Sequence, residues 1–219
     1  MRGIIYKDVC LFFKGLDKRI FILAGVVVVL LVVSNGAIAG LMISIMLAMA
    51  VGMQHVLTFS VEDKAEWEKY LHTMPVQSGQ VIAGKYAAVI VTLLVSIIGS
   101  LLCNLIVSAV YQTFSLPMLE LSIVCAVAVP LCWTAVSLPA CYWFGFQTAQ
   151  YVGIVLLFPI FYTVKYFEDS PNGFPLNLSI AQYVPFAAAC VAALFAASYL
   201  VSLTGYLWRV GSFSRKKHA

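Results

Sequence analysis

The chain has 219 residues, 63% of them apolar and only 10% charged, with a mean hydropathy of +0.98. Soluble domains carry about 25% charged residues, so a water-soluble enzyme or nucleic-acid-binding domain is excluded and an all-α membrane protein is expected. The net charge of +4 says less than the placement of the basic residues along the chain.

Residues 1–19 come first, with "GIIYKDVCLFFKGLDKR" at their centre. Ile5, Val9, Phe12, Phe13 and Leu16 follow helical spacing, whereas Lys7, Lys14, Asp17 and Lys18 fall largely elsewhere on the wheel. Such a helix is expected to lie in the membrane interface with its lysines towards lipid phosphates and water. The apolar run "IFILAGVVVVLLVV" and the later "AIA" imitate a secretory signal, but further apolar runs follow at once, so a retained first span is expected.

A helical crossing needs about 20 mostly apolar residues. Six are read, at residues 20–36, 39–59, 85–111, 119–143, 149–166 and 183–208, forming one membrane domain over 20–208 with a basic tail at 209–219. The first two share one apolar stretch, and "SNG" at 34–36 is the only turn chemistry inside it. Arg2, Lys7, Lys14, Lys18 and Arg19 precede span 1, and Lys64, Lys69 and Lys85 lie between spans 2 and 3. Arg209, Arg215, Lys216 and Lys217 follow span 6, leaving only Lys165 on the other side. This asymmetry predicts that both ends face the cytoplasm.

The segment 60–85 between spans 2 and 3 carries the most information. Ser60 followed by Asp63 reads as a capping box opening a helix, with Glu62, Asp63 and Glu66 in its first turns. Lys64 and Glu68 can pair four residues apart. Trp67, Leu71 and Met74 form an apolar stripe, and Pro75 stops the helix. Ser78 then caps a second helix that runs through Lys85 into span 3. A short amphipathic helix, an elbow and a rod into the membrane suit a docking surface.

Within it, "GQVIAGKY" (79–86) matches a phosphate-binding P-loop except at Tyr86, where a hydroxyl should bind magnesium. Such a loop needs an apolar strand in front of a glycine-rich turn. Here an amphipathic helix and Pro75 precede Gly79, so the match is accidental and no ATPase is expected in this chain. Intramembrane proteolysis needs paired acids, an activated Ser or metal ligands, and His55, His72 and His218 are scattered without ligand spacing. Ion coupling needs ionisable groups at the midplane, and only neutral ones such as Gln54, Asn104, Gln147 and Gln150 are placed there.

Pro130, Pro139 and Pro159 interrupt spans 4 and 5 and permit bending. An aromatic-rich region follows, in which Gln147, Tyr151, Phe158 and Tyr162 are candidates to line a path for amphipathic cargo. The six cysteines show no CxxC or Cys/His grouping and are read as small apolar residues.

The stretch "WEKYLHTMPVQSGQVIAGKY" (67–86) resembles the cytoplasmic loop of small permease subunits of ABC-2 type exporters. Those loops run Trp, Tyr, a Thr-x-Pro elbow and then Gly-Lys-Tyr at the start of the third span. The six-span layout and the N-terminal helix match over nearly the whole chain. Within the family, the chain is most similar to membrane subunits that export phenol-soluble modulins, the amphipathic helical peptide toxins of Gram-positive bacteria. Many relatives carry Arg after the elbow Ser, where this chain has Gly79.

The resemblance implies a half-transporter that pairs with a second permease subunit, homo- or heteromeric, in the lipid bilayer. Each subunit would dock on a separate ATPase that holds ATP and magnesium, leaving this chain with no cofactor of its own. It also implies that the loop helix is a coupling helix. Glu62, Asp63, Glu66, Trp67, Tyr70, Leu71 and His72 would be contacts, and Pro75 and Lys85 would fix the elbow. Residues 1–19 would be a connecting helix leaning on the same ATPase. An alternative is a membrane immunity or sensor protein that binds such peptides without transporting them.

Overall fold

The computed structural model describes residues 2–15, 18–71, 76–112, 115–152, 155 and 180–216. Among these residues all regular structure is helical. The N-terminal helix α1 spans Arg2–Lys14, and α2 spans Lys18–Asn35. A single 3-10 turn, Gly36–Ile38, separates it from α3, Ala39–Lys64. That break falls at the "SNG" signal. Gly36 has φ of 58°, a left-handed conformation in which glycine alone has no Cβ to clash. Then follow the short α4 (Trp67–Leu71), α5 (Ser78–Tyr111), α6 (Leu116–Phe144) and α7 (Ile180–Lys216).

Among the described residues, four helices are long and apolar enough to cross a membrane: Ala39–Lys64, Ser78–Tyr111, Leu116–Phe144 and the segment Ala188–Trp208 of α7. Ile22–Asn35 is apolar but shorter. Beyond Gly145, whose φ of 85° ends α6, residues 146–152 are again helical. Most of the fifth expected crossing, with Phe158, Pro159 and Tyr162, lies outside the described residues.

One local expectation fails. Ser60 opens no helix, because α3 runs through it without interruption to Lys64. A capping serine competes only where the preceding backbone is free to leave the helix. Here an apolar run packed against neighbouring helices carries the ladder past it. The break comes instead at Ala65 and Glu66, where Glu66 adopts φ of 50°. Asp63 and Val61 carbonyls accept the last amides, Glu66 N–H at 3.1 Å and Ala65 N–H at 3.0 Å.

The bundle centres on α3 and α6, flanked by α5 and α7. Ile82, Tyr86 and Val89 of α5 meet Leu138 and Tyr142 of α6 and Tyr206 of α7 in one cluster. Lipid removes the hydrophobic drive between helices, so packing and hydrogen bonds must hold them together. At one level, Ser100 Oγ donates to Ser44 Oγ at 2.7 Å and Asn104 Nδ2 to the same oxygen at 2.9 Å. Ser122 Oγ completes the α3–α5–α6 knot by donating to Asn104 Oδ1 at 3.2 Å. On the other side, Tyr86 Oη lies 2.6 Å from Ser198 Oγ and 2.8 Å from Ser202 Oγ, joining α5 to α7. Trp143 lies across Gly205 and donates its indole N–H to the Val201 carbonyl at 3.0 Å. A Cβ at position 205 would come within 2.5 Å of that ring.

Helix α6 remains continuous through Pro130 and Pro139. Pro130 has no N–H, which frees the carbonyl of Ala126 one turn earlier. Ser96 Oγ, reaching from α5, donates to that carbonyl at 2.8 Å, so the kink-forming site is satisfied by a neighbouring helix. Ser96→Ala should cost about 1 kcal/mol of stability, read as a lowered thermal midpoint in detergent. An unchanged midpoint would show that the freed carbonyl needs no partner.

Candidate functional site

Four charged side chains meet where α1, α3 and α5 converge. Lys85, about two turns into α5, is buried with its Nζ 2.7 Å from Glu62 Oε2 and 4.0 Å from the centroid of the Phe59 ring. Lys7 of α1 pairs with the other Glu62 oxygen, Oε1. Its Nζ also sits 4.3 Å from the centroid of the Trp67 ring at the start of α4. Asp8 is buried next to them, 3.1 Å from Lys7 Nζ and 3.9 Å from Lys85 Nζ. The two acids and two cations balance. Glu62 holds both ammonium groups most closely, and neither Asp8 oxygen accepts a well-aligned hydrogen bond.

The sequence builds this arrangement from a helical stripe. Ile4, Asp8 and Phe12 recur every four residues, so they share one face of α1. Ile4 packs on Gly84, where a Cβ would approach its side chain to 2.8 Å. Phe12 is 2% exposed and lies 5.3 Å, centroid to centroid, from the His55 ring. Its carbonyl accepts from Gln54 Nε2 at 3.2 Å, and His55 Nε2 lies 2.5 Å from Thr92 Oγ1. As α1 advances from Lys7 to Phe12, its α3 partners recede from Glu62 to His55 and Gln54. The helix therefore descends along α3.

This corrects the expected environment of α1. Lys7 does not point to water or lipid phosphate, because Glu62 and the Trp67 ring capture it; Lys14 is exposed. Phe12 is buried, Ile5 and Val9 are half-buried, and Phe13 is 51% exposed. The buried face is thus centred one position away from the one the wheel suggested. Leu16 lies outside the described residues.

Of the residues assigned to partner docking, Glu62 and Lys85 are turned into the cluster. Asp63 and Glu66 are exposed, Trp67 is half-buried, Tyr70 is 59% exposed and Leu71 is buried. His72 and Pro75 lie outside the described residues. Gln147 and Tyr151 are exposed on the stretch after Gly145. Sequence reasoning missed the roles of Asp8, Lys7 and Phe59. An acid inside an otherwise apolar i, i+4 stripe was the available signal, since a buried carboxylate demands a cation.

The P-loop-like stretch is helical from Ser78. Gln80 and Val81 N–H groups both donate to the Gln77 carbonyl, at 2.9 and 3.3 Å. Amides closed into a helix cannot cradle phosphate, and Lys85 is engaged by Glu62. Among the described residues no three His, Cys, Asp or Glu side chains converge on a metal position.

Burial pushes the Asp8 carboxyl above the ordinary carboxylate range, with Lys85 and Lys7 opposing that push and Glu62 adding to it. The folded protein therefore holds this proton more tightly than the unfolded chain. The associated stability is complete below the ordinary value of 3.8 and is lost as pH rises through the window above it. Wild-type thermal stability, taken relative to Asp8→Asn, should fall as pH rises from that value. Parallel profiles for the two proteins would contradict the upward shift at Asp8.

A helical bundle with several membrane-length apolar helices defines a polytopic membrane protein. The family described as ABC-2 family transporter protein matches residues 3–206, nearly the whole chain. The chain belongs to this family, and is accordingly the multi-pass permease component of an ABC transporter, the component that associates with an ABC ATPase. No curated protein and no solved structure matches it.

Proposed function

We propose that the chain is one permease subunit of an ATP-driven exporter, paired with a second permease subunit in the bacterial plasma membrane. The end bearing α1 and α4 faces the cytoplasm and docks on a separate ABC ATPase. The cargo is an amphipathic peptide, with phenol-soluble modulins as the type. The observation that carries this reading is the charge cluster, which ties α1, the end of α3 and the start of α5 beside the short α4. A partner that moves α4 then pulls on three helices at once. Exposed apolar side chains along α2, α5 and α7, such as Val33, Ile98, Leu102 and Leu200, supply faces for lipid and for the second subunit.

The test is reconstitution with an ABC ATPase in proteoliposomes. An added amphipathic helical peptide should raise ATP turnover severalfold and appear in the lumen of inside-out vesicles. Peptide binding without stimulation or transport would favour the immunity or sensor reading instead.

A further inference from the structure

Helix α4 has five residues and follows a turn that Glu66 makes with φ of 50°. A helix this short has no stability of its own, so tertiary contacts must set its orientation. Two are visible. Leu71 is buried at its C-terminal end, and the Trp67 ring at its N-terminal end lies against Lys7 Nζ at 4.3 Å. Lys85 holds Glu62 and Phe59. Lys7 joins α4 to the cluster, and it comes from a helix about 60 residues earlier in the chain.

We infer that Lys7 is a positioning residue for α4: its ammonium, anchored on Glu62 and flanked by Asp8, fixes the Trp67 ring and so sets the angle at which α4 is presented. The inference deepens the proposed docking role of α4 and rests on that reading for its functional consequence. The geometric part stands without it. An ammonium held by a carboxylate on one side and a π-face on the other has a defined position, because each contact limits the rotamers left by the other. The N-terminal helix thereby governs a surface it does not itself form. Asp8, 3.1 Å away, lies on the inward side of the ammonium.

The experiment uses trypsin cleavage after Lys64, an exposed lysine at the end of α3 directly before the turn, identified by mass spectrometry on the intact protein in detergent. Lys7→Met should accelerate this cut by roughly threefold to tenfold, the range of a lost cation–π contact, and Lys7→Arg should restore the wild-type rate. In a Trp67→Leu background, Lys7→Met should accelerate the cut by less than it does in the wild type, since the ring contact is already gone and only the pairs with Glu62 and Asp8 remain to be lost. In parallel, Lys7→Met should raise the concentration of ATPase needed for half-maximal coupled turnover, with turnover at saturating ATPase retained.

Additive effects of the two substitutions, or no change in cleavage, would overturn the inference. So would an ATPase effect without a cleavage effect, because Lys7 would then be a contact and not a positioning group. Faster cleavage with unaltered ATPase affinity would support the positioning role of Lys7. That outcome would instead count against α4 as the docking element.

Discussion

Lys85→Met should remove most of the folded protein. The substitution leaves Glu62 and the buried Asp8 with a single nearby cation, Lys7, which already pairs with Glu62. Deleting one partner of a buried ion pair costs about 3–5 kcal/mol, since the surviving charge stays out of water without compensation. Total stabilities are about 5–15 kcal/mol, so the loss is a large share. Fluorescence-detected size-exclusion after a heating series should show a sharply lower midpoint and aggregated material. Lys85→Met with Glu62→Gln should recover part of that loss, because the uncompensated carboxylate is removed as well. The same variant discriminates two meanings of the lysine. A phosphate-cradling lysine, once replaced, would leave a stable protein that fails to bind nucleotide. A Lys85→Met protein as stable as wild type would refute the structural role argued here.

Much of this architecture was written in residue patterns of short range. The "SNG" signal located the break before α3, and Pro75 with Ser78 located the start of α5 to within one residue, Gln77 being the capping position. Composition alone placed the chain in the membrane. What the sequence hid was pairing at long range. Nothing local in "YKDV" says that Lys7 meets Glu62 and Trp67, or that Asp8 lies beside Lys85. Those partners come from three other helices brought together by packing. The misplaced helix start at Ser60 has the same origin. Local capping chemistry predicts a boundary, but the packed apolar run of α3 overrides it. Ser96 is a third case. Its role becomes visible only when the carbonyl freed by Pro130 is found directly opposite it.

Docking should fail most completely when the outward side of the α3–α4 elbow is changed. From sequence, the natural variant is Trp67→Ala with Leu71→Ala, and it should abolish ATPase association while membrane insertion persists. The structure shows why that variant alone cannot decide between loss of contact and collapse of the elbow: Trp67 is held by Lys7, and Leu71 is buried. Asp63 and Tyr70 are better probes, because both are exposed, Tyr70 at 59%. Asp63→Lys combined with Tyr70→Ala reverses a charge and removes an aromatic anchor without entering the buried cluster. Aromatic hot-spot residues contribute about 2 kcal/mol or more at protein interfaces, and every 1.4 kcal/mol is about tenfold in affinity. The pair should therefore weaken co-purification of the ATPase by well over tenfold. The thermal midpoint should stay close to the wild-type value. Wild-type affinity in this variant would remove α4 from the interface and move the search for the docking surface to the exposed face of α1. There Tyr6 and Phe13 stand clear of the bundle.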